Sequence, residues 1–506
     1  MNTALRALLS VLMLVGFYVL AVGMLVGCAV LTVTMAQHSH GPAALKFGIL
    51  TLIVAAGIVT ALVQVARAQR ASRDQDESGV YLTPGQAPEL WAQVRELADL
   101  AGTRAPDTIE LVPEVNAAVS EETRLLGLVG GTRQLLLGVP LLQGLTVAQL
   151  RSVLAHELGH YSNAHTRLGP IAYRGRAVVV VTVSRLSGNI VGWLLRQYAK
   201  AYLVVSQAVS RSQELEADRL SVQVAGRRVA QSTLRELPVI DAAWSFYERR
   251  YLAPGWAAGY ATTAHGFFGG FGQLLTARSA ELEGLRGQDV PGERSVWDSH
   301  PPIPHRVAAM DRLPETRQAA EDPRPATALV PGFDQAAAAL AGRVVAFEGR
   351  QQLEWGPLVG AFMDASAAQA AQVLYDAAAA IAQQPSATLG TVLDLVERGW
   401  GGELARSVAG DADADEQQEA LVRLLTAAFE HASVRSGTAR WQGSWSEPAT
   451  VVAGDGNPIP FEQVARLAAD QRTVASAREW LVSARIDLAT GPQSPERAGL
   501  HQGASA

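Results

Sequence analysis

The tightest constraint on this chain is a pentapeptide, His156-Glu157-Leu158-Gly159-His160. Two histidines four residues apart can serve one ion only if the backbone between them is helical, because that spacing stacks their side chains on one face, a turn apart. The flanking sequence agrees with a helix. Thr146 is a suitable N-cap, and Leu150, Val153, Leu154 and Leu158 recur at helical spacing behind the histidines. Glu157 sits one residue past the first histidine, so its carboxylate falls beside a bound metal rather than on it. There it can take a proton from a metal-bound water and return it to a leaving amine. The stretch therefore has the form of a zinc-hydrolase helix, and such a helix needs a third ligand from elsewhere.

That ligand is expected on a second helix over residues 204–225. Glu214 and Asp218 are four apart there and share a face, whereas Glu216 points away. Two histidines from one helix and Glu214 from another make a set of three that leaves a fourth position open. Asp218 is placed to accept the second ring N–H of a ligating histidine and so fix its tautomer. His165 is left out, because five residues past His160 on a helix it points well away from the metal face. A longer zinc motif would also need glycine and histidine where the chain has Asn163 and Thr166.

Composition narrows the partners. A net charge of −6 with 18% charged residues gives none of the basic balance that nucleic acid demands, so no such partner is expected. The one cysteine, Cys28, excludes an intrachain disulfide. Hydrophobic residues reach 48%, and they concentrate at the N-terminus. No charge occurs from Ala7 to Met35, and a second uncharged run covers residues 47–66. A helix needs about 20 residues to cross the hydrocarbon core, so two retained transmembrane helices are expected within residues 1–72. Arg67, Arg70 and Arg73 follow the second run, and Lys46 alone marks the loop between them. The positive-inside rule then puts the rest of the chain on the cytoplasmic face of a cytoplasmic membrane.

Between the anchor and the histidine helix, residues 83–101 have amphipathic helical spacing, and residues 108–112 and 135–139 are short apolar runs bounded by turn formers. With a third strand around residues 116–119 they predict a small sheet whose edge could pair with an extended peptide backbone. Residues 177–195 hold two short apolar pieces, either membrane-embedded or a core or interfacial pair.

Four motifs occur in order: Asn116-Ala117; HELGH at 156–160; Ser210-Arg211 with Glu214, Ala217 and Asp218; and Ser299-His300-Pro301-Pro302 followed by Arg306. This quartet resembles the membrane-bound M48 zinc peptidases, the group that contains the bacterial HtpX-type proteases and the eukaryotic CAAX-processing proteases, and it spans residues 80–312. The resemblance implies one zinc per chain on His156, His160 and Glu214, with Glu157 as general base and acid. It implies that Asp218 supports a ligand and that Asn116-Ala117 lies where the substrate main chain is held. His300 and Arg306 match positions near the metal that help stabilise an oxyanion. The chain departs from the family in weak apolar segments between the histidine helix and Glu214, and in the length of sequence after the last motif.

The expected architecture is mainly α with a small β-sheet: N-terminal transmembrane helices, a gluzincin-like catalytic domain over residues 73–312, a Pro- and Ala-rich linker over 313–332, a helical C-terminal region over 333–486 and a disordered tail over 487–506. The function this predicts is hydrolysis of peptide bonds in unfolded or misassembled membrane proteins, with lipid as the other partner. Two rivals are a processing protease dedicated to one partner and a membrane scaffold in which the zinc is structural.

Overall fold

The computed structural model describes residues 3–38, 48, 49, 52, 79–124, 129–161, 190–288, 301–314 and 321–492. The chain forms two compact units, one of Met1–Trp244 with Ser279–Ala346, the other of Ser245–Arg278 with Phe347–Ala506. Both are discontinuous in sequence, a division that linear boundaries at 312 and 333 do not capture.

In the first unit helix α1 covers Thr3–His38. Among the described residues no helix is long and apolar enough to cross a membrane. Part of the α1 side chains, and nearly all of the second uncharged run, lie outside those residues. Helix α2 (Pro88–Leu100) starts later than the expected residue 83, because the chain first turns at Thr83, whose side chain bonds Gln86. It buries Leu90, Trp91, Val94 and Leu97, but leaves Leu100 exposed.

The sheet has four strands, β1 (Val80–Tyr81), β2 (Thr108–Val112), β3 (Ala117–Arg124) and β4 (Val129–Gly138), in the order β1-β2-β4-β3. The β2–β4 pair is parallel, and β3 runs antiparallel to β4 with a register shift between Glu121 and Thr123. Strands β3 and β4 are longer than their apolar runs. Their extra residues, such as Ser120, Glu121 and Arg133, are polar, and hydropathy alternation is blind to a strand held by backbone pairing. The apolar side chains Ile109, Leu111, Leu135 and Leu137 are fully buried.

After α3 (Val139–Gly144), helix α4 (Val147–Gly159) carries the histidines. Helix α5 (Ile190–Ala225) is one unbroken helix in which the apolar piece at 190–195 and the acidic segment are continuous. Residues 177–189 lie outside the described set. Near the N-terminal end of α5, Tyr198 donates its hydroxyl to the Met13 carbonyl of α1 (2.8 Å) and packs beside Phe17, and the neighbouring Tyr202 is buried. Helices α6 (Arg227–Tyr247) and α7 (Ser279–Arg286) are joined by a partly buried ion pair, Glu236 with Arg286 at 2.6 Å.

The described part of the stretch expected as a linker is packed rather than free. The Val147 amide donates to the Arg324 carbonyl and the Ala326 amide to the Leu145 carbonyl, while Ala326, Leu329 and Val330 are buried. This segment therefore covers the start of α4.

The second unit is mainly helical. Its core gathers Leu374, Tyr375, Leu393, Leu425, Phe429, Val464 and Leu481 from five helices. The helical periodicity after residue 355 corresponds to real helices, such as Trp355–Ala382 and Ala414–Arg435. The end of the region expected as helical holds two helices, Phe461–Ala468 and Val474–Ser483, separated by a turn in which Asp470 accepts from the Arg472 amide. Trp441 lies in a two-stranded ribbon, Ala439–Gln442 with Thr450–Ala453, inside the region expected as helical.

Candidate metal centre

Helix α4 is fixed at its start by a reciprocal cap. Thr146 Oγ1 accepts the Gln149 amide at 3.2 Å, and Gln149 Oε1 accepts the Thr146 amide at 3.0 Å. Leu150, Leu154 and Leu158 bury one side of the helix. Its other face meets α5 at close range. A Cβ on Gly159 would lie 3.0 Å from Ala217 Cα and 3.3 Å from Ala217 Cβ, so glycine opposite alanine lets the two backbones approach. Two turns back along α4 and one turn on along α5, Ser152 and Ser221 share a buried hydrogen bond of 2.7 Å. These contacts set the register that brings Glu214 to the histidines.

The Nε2 atoms of His156 and His160 lie 3.2 Å apart. Glu214 Oε2 is 3.6 Å from His156 Nε2, and Glu214 Oε1 is 3.6 Å from His160 Nε2. Ligand atoms of all three residues fall within 4.8 Å of one another, a cluster that could hold a metal ion. His156 and Glu214 are buried and His160 is partly exposed, so the cluster opens on the His160 side. Glu157 is half-buried on the same helix.

Behind the cluster, Asp218 Oδ1 is 3.1 Å from His156 Nδ1. Helix α8 (Ile303–Met310), opened by Pro301-Pro302, brings in Arg306, which grips Asp218 through Nε (2.9 Å) and Nη2 (2.6 Å). Nη1 of Arg306 lies 3.8 Å from Glu214 Oε2. Burial pushes the Asp218 carboxyl up, but the Arg306 and then the His156 hydrogen bonds outweigh it and hold it at about 2. Asp218 is thus an anion at any physiological pH.

Of the residues singled out in the sequence, His156, Glu157, His160, Glu214, Asp218 and Arg306 lie around this centre. Ser299, His300 and His165 lie outside the described residues. Asn116 is exposed just before β3, and its carbonyl is bound by the Gly138 amide at 2.7 Å. A Cβ on Gly138 would sit 2.0 Å from the Glu114 carbonyl, so only glycine allows this turn beside the strand. Sequence reasoning did not single out Gly138, Gly159, Ser152 or Ser221. Small residues on facing helices are a signal only once the partner helix is known.

Residues 84–313 match Peptidase family M48. The chain is similar to a protease HtpX homolog of Janthinobacterium sp. (strain Marseille), 27% identical over 46% of this chain and 74% of the relative. It is also similar to one of Herminiimonas arsenicoxydans, 24% identical over 52% of this chain and 85% of the relative. A third, from Methylacidiphilum infernorum (isolate V4), is 25% identical over 47% and 76%. No solved structure matches the chain. The ordered motifs, the clustered donors and these relatives agree: residues 84–313 form a metallopeptidase domain of the M48 type, similar to the HtpX homologs.

Proposed function

We propose that this peptidase is a zinc-dependent endopeptidase held at a membrane, with its site facing the cytoplasm, and that it cuts unfolded or misassembled membrane proteins. The observation that carries the hydrolytic reading is the convergence of His156, His160 and Glu214, with donor separations of 3.2, 3.6 and 3.6 Å. Tetrahedral zinc takes nitrogen and carboxylate oxygen at about 2.0–2.2 Å, which spaces neighbouring donors by roughly 3.3–3.6 Å, so these three residues fit it. When bound, zinc supplies a Lewis acid that polarises the scissile carbonyl and makes a water more acidic.

The chain's own groups do the rest. Glu157 accepts the proton of the attacking water and hands it to the leaving amine nitrogen. Asp218 holds the His156 ring through Nδ1, leaving Nε2 to face the centre. Arg306 has two of its donor groups on Asp218, so its first task is to orient that carboxylate. Nη1 is what it has left for a developing oxyanion, a task it would share with His300.

Membrane attachment is supported by the uncharged run from Ala7 to Met35, carried within the 36-residue helix α1, and the inward side by the arginines at 67, 70 and 73. The test uses the full-length protein purified from membranes, beside Glu157→Gln and Glu214→Ala. Zinc near one per chain is expected in the wild type and in Glu157→Gln, and less in Glu214→Ala. Cleavage of an unfolded protein such as casein is expected from the wild type alone. Casein cleavage by Glu157→Gln at the wild-type rate would end this reading, as would recovery of the wild type in the soluble fraction for the anchor.

A further inference from the structure

The pairing register of β3 shows which backbone groups look outward. The Gly138 amide donates to the Asn116 carbonyl, while Ala117 stands opposite Leu137. In an antiparallel ladder this makes Ala117 and Val119 members of non-hydrogen-bonded pairs, so their N–H and C=O groups point away from β4. Among the described residues no further strand lies beyond β3. An extended substrate pairing with this edge would use Ala117 and then Val119. One of those groups is already occupied: the hydroxyl of Tyr161 donates to the Val119 carbonyl at 2.5 Å.

Tyr161 follows His160 directly and closes the end of α4. Its ring is held by the Arg133 guanidinium, 4.8 Å from the ring centroid. Arg133 is buried and is itself fixed by Thr103 Oγ1 at 2.9 Å and by Glu121 at 3.4 Å. A tyrosine restrained on its face and bonded at its tip does not swing aside readily. The hydroxyl stands where the next substrate amide would have to bind.

We propose that Tyr161 is a specificity-determining residue that ends the substrate strand: pairing includes Ala117 and the Val119 amide, and stops at the Val119 carbonyl. The inference rests on the peptidase reading above. It predicts that the enzyme needs only a short extended segment beside the scissile bond and gains nothing from backbone amides beyond it.

The test is a series of peptides built around one cleaved sequence and lengthened a residue at a time from either end, each with a partner carrying an N-methylated amide at the newest residue. For the wild type, kcat/KM should stop rising at one end, and N-methylation past that point should have no effect. Tyr161→Phe frees the carbonyl, so its kcat/KM should rise about 2- to 10-fold with one further residue, and N-methylation there should abolish the gain. Identical length profiles for both enzymes would overturn the inference, as would wild-type sensitivity to N-methylation beyond the plateau, which needs no variant to fold. Absence of any cleavage by the wild type would instead defeat the peptidase reading.

Discussion

Asp218 is 2% exposed, and a carboxylate so far from water is tolerable only when its charge is answered nearby. Arg306 answers it with a two-pronged grip, and His156 takes the remaining contact. Removing one member of such a pair strands the other. Arg306→Ala is expected to cost about 3–5 kcal/mol of stability, and Arg306→Ala with Asp218→Asn to recover part of it, both readable by denaturant unfolding. Asp218→Asn alone should weaken metal binding about 10- to 100-fold, measured by competition with a chelator. Part of the candidate centre was legible in the sequence because helical spacing is local: four residues apart fixes His156 to His160 and Glu214 to Asp218. The grip of Arg306 on Asp218 was not legible, since the two are 88 residues apart and no periodicity links them.

At the scale of elements, the centre depends on how closely α4 and α5 lie. Gly159 is where a larger side chain would push them apart. Gly159→Ala should be tolerated with a modest loss, since at 3.0 Å from Ala217 Cα the Cβ asks the neighbouring helix to give by a few tenths of an ångström, whereas Gly159→Val should lower bound metal well below one per chain. Equal metal content in both variants would show that the spacing is not set there. The existence of these two helices was readable from apolar spacing and the motif. Two things escaped that reading: that α5 begins as early as Ile190, and that residues 322–330 pack over the start of α4. The first was hidden by an apolar stretch too short to classify, the second by a Pro-rich composition shared by free linkers and by segments fixed through backbone bonds.

The whole molecule adds a C-terminal unit whose helices were anticipated from their periodicity and whose role was not. Within it, burial pushes the Glu430 carboxyl up to about 7. An ordinary carboxylate ionises near pH 4.5, so unfolding releases the proton that the fold retains. Stability should therefore be unaffected by this group below about pH 4.5, fall as pH rises from there to about 7, and level off above. Glu430→Gln should stabilise the protein by roughly 1–3 kcal/mol at pH 8 and by almost nothing at pH 4, tested by denaturant unfolding at both.

Helix α5 carries Tyr202 and Glu214 on one unbroken rod, with its upstream end seated on α1. At about 1.5 Å per residue, the two side chains lie on the order of 18 Å apart along the axis. Helix α1 and the candidate metal centre are thus mechanically joined, and whatever tilts one displaces the other. A version lacking residues 1–38 should therefore lose more than its first helix: it should hold metal less tightly, and chelator competition on it beside the intact chain would reveal whether α1 works as a lever on the centre.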